Sequence, residues 1–179
     1  MFRRYGCEGH DECVGDTADM TVVINVEPFS RELSAEIAPL AQKCWNESTV
    51  IKAETCAFYG ERDFQIEPDV DRYELLASQG FVVMVTLRND AEIKGYVIGL
   101  VYRSMHHKHI LCGIGDTAYL EPDYRAYMAP VANRFEQEMR SRGVGIIGWP
   151  THAEGPVYEV LKALGYVGDD IVMEKRLCA

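Results

Sequence analysis

The first third of the chain alternates between strand-like and helix-like patterns. β-Branched residues over Thr21–Val26 predict a strand. Ser30 is a suitable N-cap for the apolar residues that recur at helical spacing through Leu33–Trp45, with a kink expected at Pro39. A second helix is predicted within Pro68–Gly80, which begins with proline and ends with glycine.

The middle of the chain is typical of a β-hairpin. Phe81–Leu87 and Ile93–Tyr102 are apolar, and the polar turn Arg88–Asp90 joins them. Gly95 and Gly99 interrupt the second run. Glycine inside a strand indicates a bulge or a close approach of another group, and we expect one here.

The C-terminal part alternates strands and helices. Its predicted order is a strand over Ile110–Leu120, a helix through Val131–Met139, a strand over Val144–Trp149, a helix over Pro156–Gly165 and a last strand near Asp170–Leu177. Hairpin elements followed by a βαβ unit predict a mixed α+β fold, in which one mixed sheet is flanked by helices.

Residues 1–20 follow neither periodicity and carry glycines and acidic residues. We interpret them as a flexible N-terminal extension to a single domain over 21–179. Cys7, His10 and Cys13 offer three soft ligands there, one short of a closed zinc site. We therefore predict no metal site, with zinc at this cluster as the alternative.

Charge and hydropathy exclude some classes of protein. The net charge is −10, which repels phosphate backbones and makes duplex nucleic acid an unfavourable partner. The same charge attracts cationic amines, or it only keeps the protein in solution. The apolar runs are too short to span a bilayer, and a signal peptide is not indicated, so we expect a cytoplasmic protein without membrane contact.

The richest motif is the loop Tyr124–Pro130, which enters a predicted helix where anions bind readily. Together with the lead-in at 119–125, the run 136–144, the run 158–166 and the closing run 172–177, it resembles the acyl-CoA-binding core of the GNAT N-acetyltransferases. The order and spacing look especially like GNAT proteins encoded by bacteriophages. The resemblance implies a central, mostly antiparallel twisted sheet and acetyl-CoA as cosubstrate.

In that family the loop follows the pattern Gln/Arg-x-x-Gly-x-Gly/Ala. With Arg125 in the first position, Met128 and Pro130 stand where the glycines would be, so the pyrophosphate loop is degenerate. Proline removes an N–H donor, and methionine adds bulk. The resemblance still implies that the pyrophosphate lies against Arg125 and the backbone N–H groups of Ala126, Tyr127, Met128 and Ala129. It likewise implies that the backbone of Tyr119 and Leu120 lines the pantetheine.

Acetyl transfer needs groups that handle protons. Asp116 on the central strand is a candidate base, because burial among apolar neighbours would raise its pKa, but it could equally bond to backbone. The family's usual acid is a tyrosine at the position of Leu161, so Tyr158 is the nearest substitute unless it only packs. His152 is the third candidate, and His106–His109 could converge with it at the mouth of the acceptor site or remain solvated.

The resemblance leaves several functions open. The first is an N-acetyltransferase that transfers acetyl from acetyl-CoA to a primary amine of a small molecule or protein by direct attack. The second is a phage-type GNAT-fold protein that has lost catalysis and binds a host protein. The third modifies nucleotides or DNA bases. A homodimer and a location in the host cytoplasm are further expectations for a phage-encoded protein.

Overall fold

The computed structural model describes residues 21–51, 66–151 and 156–168, and the side chains of 48–51 and Pro156 are not described. Within these ranges, ten elements follow one another: β1 (Val22–Val26), α1 (Arg31–Ile51), α2 (Val70–Ser78), β2 (Val82–Asn89), β3 (Glu92–Arg103), β4 (Leu111–Leu120), a 3₁₀ helix (Pro122–Tyr127), α3 (Met128–Ser141), β5 (Val144–Gly148) and α4 (Pro156–Ala163). The last predicted strand and the extension 1–20 lie outside the described residues.

The five strands form one sheet in the order β1-β2-β3-β4-β5. The first three pairings are antiparallel. β4 and β5 are parallel, and α3 connects them. This confirms the predicted mixed α+β class with a mostly antiparallel sheet. None of the helices in the described ranges is long and apolar enough to cross a membrane.

The helix ends follow the local signals in the sequence. The Ser30 hydroxyl accepts the Leu33 N–H at 3.2 Å, and the Asp69 carboxylate accepts the Arg72 N–H at 3.0 Å. Both contacts satisfy first-turn donors that a helix leaves unpaired. Gly80 and Gly143 have φ of +79° and +81°, a conformation that glycine adopts without strain, and they follow α2 and α3 directly.

The sheet is buried on both faces, which explains the nearly continuous apolar run of β2. One face packs against α3, where Phe135 and Met139 are fully buried. The other packs against α1, where Leu33, Ile37 and Leu40 are buried. Successive β2 residues therefore alternate between two separate clusters.

Two irregularities open the sheet at its centre. Ile98 pairs with Thr117 and Gly99 with Gly115, so Asp116 is an extra residue in a β-bulge. A Cβ atom at Gly99 would lie 2.7 Å from the Ile114 carbonyl oxygen and closer still to the Phe135 ring, which confirms the predicted close approach. The pairing of β4 with β5 ends at Ile114 and Gly148, and from there to Leu120 β4 pairs, among the described strands, with β3 only. The two strands thus separate just beside the bulge.

Candidate functional site

A cavity of about 590 Å³ opens where β4 and β5 separate. Its floor is the bulged segment of β4, and its walls come from α1, the start of α2, the chain after β5 and one residue of α4. The lining side chains used below are Phe29, Ser34, Ala38, Ala41, Trp45, Asp69, Tyr73, Tyr96, Asp116, Trp149, Thr151 and Val157.

Asp116 lies in this cavity because the bulge adds it to the strand. Its carboxylate is exposed to the cavity and accepts a hydrogen bond from the Tyr73 hydroxyl. The prediction that Asp116 is buried among apolar neighbours is therefore wrong, since the bulge places it at the opening rather than in either core layer. Its hydrogen bond is to the Tyr73 side chain, whereas the alternative was a bond to backbone.

Tyr73 projects from α2 toward the bulge. Its ring stacks on Phe29 with centroids 5.2 Å apart. Burial, together with the neighbouring Asp116 carboxylate, raises the pKa of Tyr73 well above its usual range. The phenol therefore stays protonated at neutral pH and can donate to the carboxylate.

Trp149 and Tyr96 complete the cavity around the bulge. Trp149 packs edge-on against Phe135, with centroids 5.1 Å apart. A Cβ atom at Gly115 would lie 2.7 Å from Cδ2 of Trp149, so a side chain there would displace the indole. The Tyr96 hydroxyl lies 3.5 Å from Oγ1 of Thr117, and burial raises the pKa of this phenol above its usual range.

Tyr158 and His152 are the other two candidates for proton transfer. Tyr158 on α4 contacts the Lys162 ammonium, 6.0 Å from its ring centroid, and approaches Gly168. Among the described residues of α4, Val157 and not Tyr158 lines the cavity. His152 lies outside the described residues, although its neighbour Thr151 lines the cavity.

Of the two alternatives for His106, His107 and His109, convergence with the acceptor site is wrong and exposure to solvent is correct. Because β4 and β5 are parallel, the loop before Leu111 lies beside Val144, at the start of both strands. The cavity lies at the other end of β5, beside the middle of β4. The three histidines are exposed, and no group of three candidate metal ligands occurs in the described part of the chain.

The predicted pyrophosphate loop forms a 3₁₀ helix that leads directly into α3. The Met128 N–H donates to the Arg125 carbonyl oxygen and the Tyr124 N–H donates to that of Glu121, which is the i to i+3 pattern of a 3₁₀ helix. Pro130 has no N–H. The start of α3 therefore offers fewer N–H donors to an anion than a helix start without proline.

Arg125 itself is held by an acidic partner. Its guanidinium donates to the Glu47 carboxylate of α1 at 2.6 Å, and the Tyr119 hydroxyl donates to the same carboxylate at 2.8 Å. Burial and this carboxylate raise the pKa of Tyr119 to about 12. Tyr119 and Leu120 are buried in the part of β4 that continues past β5, beside the gap between the strands.

Sequence reasoning did not identify Tyr73, Phe29, Trp149 or Glu47. Tyr73 contributed only to the apolar pattern of a helix, and Asp116 lies 43 residues farther along the chain. No local spacing relates the two side chains. A search for aromatic residues on helices expected to cover the central strand would have listed Tyr73.

No protein-family model matches the sequence, and no curated protein matches it. Solved structures do match. A ribosomal-protein-alanine N-acetyltransferase from Brucella melitensis biovar Abortus 2308 is 15% identical with TM-score 0.58, covering 88% of this chain and 100% of its own. The aminoglycoside enzyme AAC(6')-Iy, in complex with a CoA-linked bisubstrate analogue, is 11% identical with TM-score 0.61, covering 88% and 99%.

A third structure is a predicted acetyltransferase from Clostridium acetobutylicum with acetyl-CoA. It is 14% identical with TM-score 0.60, covering 87% of this chain and 97% of its own. At such identities the likeness concerns the fold, and it extends over nearly all of each chain. The chain described here therefore has the fold of the GNAT N-acetyltransferases.

Proposed function

We propose that the protein is an acetyl-CoA-dependent N-acetyltransferase that acts on a primary amine by direct attack. The observation that carries the proposal is the Asp116–Tyr73 pair at the bulge, which faces a cavity beside the gap between β4 and β5. The structural neighbours support it, because one of them holds acetyl-CoA and another a CoA-linked analogue.

The described residues offer contacts for two parts of acetyl-CoA, the pantetheine and the pyrophosphate. The gap beside Tyr119 and Leu120 would take the pantetheine, as no described strand occupies that edge of β4. At the helix start, the Ala129 N–H and a released Arg125 would meet the pyrophosphate. Bound there, acetyl-CoA supplies an activated thioester to the cavity.

The chain's own groups then handle the protons. The Asp116 carboxylate takes a proton from the ammonium group, directly or through water, and the neutral amine then forms the new C–N bond as the C–S bond breaks. The nitrogen loses a second proton to solvent as the amide forms. Tyr73 positions the carboxylate through its hydrogen bond. The departing thiolate takes a proton, for which Tyr158 and His152 remain the proposed donors.

Calorimetric titration with acetyl-CoA, followed by thiol release with a panel of primary amines, tests the proposal. We expect binding, and turnover that Asp116→Asn lowers by about 10²–10⁴-fold with acetyl-CoA affinity retained. Tyr73→Phe should lower turnover less and change its pH profile. Absence of acetyl-CoA binding at millimolar ligand, or full turnover by Asp116→Asn, contradicts it.

The geometry also supports a second candidate, a GNAT-fold protein that has lost catalysis and binds a host protein. The 3₁₀ helix and Pro130 leave few donors for a pyrophosphate, which favours this alternative. The titration separates the two, because this candidate predicts no acetyl-CoA binding. Modification of nucleotides or DNA bases is less favoured, since the described residues that line the cavity include no lysine, arginine or histidine.

A further inference from the structure

The charged side chains on the described part of the cavity wall are all acidic. Asp69 and Asp116 are the ionisable acids on its wall, and the described lining residues offer no basic side chain to a ligand. Tyr73 and Tyr96 are neutral phenols at pH 7, as tyrosines ordinarily are, and burial raises the pKa of each further above neutrality. On the described part of the wall, a ligand with a free carboxylate or phosphate would therefore meet like charge, whereas an ammonium group would be attracted.

Aromatic rings surround those carboxylates. Five contribute to the wall: Phe29, Trp45, Tyr73, Tyr96 and Trp149. The stacked Phe29 and Tyr73 rings lead directly to the Asp116 carboxylate. Rings of this kind bury apolar ligand surface and also attract cations to their faces.

Small residues leave room beside these rings. On α1, Ser34, Ala38 and Ala41 follow at helical spacing and line the cavity. Leucines at such positions would fill much of the space against Tyr96 and Ile98. The cavity can therefore accept a body the size of a ring as well as an amino group.

We propose that the acceptor is a primary amine with an aromatic or similarly apolar body and no anionic group, its ammonium directed at Asp116 and Asp69. This inference rests on the proposed function and narrows its substrate class. The amine lies against the bulge, and the apolar body lies between α1 and the aromatic wall.

Three commercially available amines test the inference by equilibrium binding, with quenching of Trp45 and Trp149 fluorescence or calorimetry as the readout. Phenethylamine carries ring and ammonium, phenylalanine adds a carboxylate, and ethylamine lacks the ring. We expect phenethylamine to bind at least about tenfold more tightly than either of the others. Equal or tighter binding of phenylalanine or ethylamine, or no binding of phenethylamine at 10 mM (a ceiling of about −2.7 kcal/mol), overturns the proposal.

Matched variants assign the preference to the wall. Asp69→Asn keeps an oxygen that can cap α2 and should reduce the preference for phenethylamine over phenylalanine by about threefold or more. Asp90→Asn makes the same change in the β2–β3 turn, where φ of 53° suits asparagine, and should leave the preference unchanged. Ala41→Leu should weaken phenethylamine more than ethylamine; an equal effect on both contradicts the assigned position of the ring.

The two measurements distinguish failure of the acceptor inference from failure of the enzymatic proposal. If phenethylamine binds in the expected order but releases no thiol from acetyl-CoA, the acceptor inference holds and the enzymatic proposal fails. If thiol release occurs only with anionic or polyhydroxylated amines, the enzymatic proposal holds and the acceptor inference is overturned.

Discussion

At the scale of single residues, the ion pair of Arg125 affects how the fold can bind an anion. The side chain stands where an anion would be expected, yet it pairs with Glu47 across a gap of 2.6 Å. Tyr119 donates to the same carboxylate and so holds Glu47 in place. Any phosphate that Arg125 is to bind must first compete with this internal carboxylate.

Replacing Glu47 by glutamine should therefore strengthen acetyl-CoA binding. Both partners of the pair are about half exposed, and such pairs are worth roughly 0.2–1 kcal/mol, so we expect the Kd to fall by about 1.5–5-fold. Glutamine still accepts the Tyr119 hydroxyl, which preserves the local packing. Titration calorimetry measures the change.

Glu92→Gln is the matched control for that prediction. Glu92 pairs with Lys94 at the start of β3, an exposed glutamate elsewhere on the surface. The same loss of charge there should leave the Kd unchanged. An equal gain in both variants would show that net charge, rather than release of Arg125, determines the affinity.

At the scale of elements, the first turn of α3 limits anion binding. Pro130 fits the first helical turn without strain but withholds a donor. Pro130→Ala should restore one N–H beside Ala129, and a hydrogen bond to a charged group contributes about 1.5–3 kcal/mol, so we expect acetyl-CoA affinity to rise by about tenfold or more. Titration of folded variants measures it.

Pro122→Ala provides the comparison for that change, since it also replaces an exposed proline at the start of a helical element. It should leave acetyl-CoA affinity unchanged. If Pro130→Ala binds no better than the wild type while remaining as stable, backbone donors at this helix start do not contact the pyrophosphate.

β3 and α3 pack too closely at Gly99 to leave room for a side chain. A Cβ atom at Gly99 would overlap the Phe135 ring, whereas one at Gly148 would have no atom within 4 Å. Gly99→Ala should therefore destabilise the protein by about 1–3 kcal/mol, the usual cost of overpacking. Gly148→Ala, the control, should stay within about 0.5 kcal/mol of the wild type. Urea unfolding midpoints compare them, and equal midpoints contradict the predicted clash.

The elements themselves could be predicted because their signals are local. Ser30, Gly80 and Gly143 mark helix ends in the sequence, and the structure places them there. The candidate site depends on contacts between distant parts of the chain. Neither the pairing of Tyr73 with Asp116 nor that of Glu47 with Arg125 has a sequence spacing that would reveal it, because the packing of α1 and α2 on the sheet creates both.

At the scale of the whole molecule, one charged network joins the sheet edge to α1. Arg88 of β2 donates to Glu27 after β1 at 2.8 Å and to Glu36 of α1 at 2.7 Å. The Thr86 hydroxyl also donates to Glu27. The hydrogen bonds from Arg88 and Thr86 lower the pKa of Glu27 below its usual 4.5, and Arg88 has the larger effect.

A carboxyl whose pKa is lower in the folded state stabilises that state above its unfolded pKa and loses the contribution as pH falls through the folded value. Stability should therefore decline below about pH 4.5, although protonation also relieves the repulsion from a net charge of −10. Glu27→Gln separates the two effects. The variant should be less stable by about 1.5–3 kcal/mol at pH 7, the range for a hydrogen bond to a charged group. Its urea midpoint should also fall less steeply than that of the wild type between pH 5 and 3, and parallel slopes would exclude Glu27 as a source of the acid sensitivity.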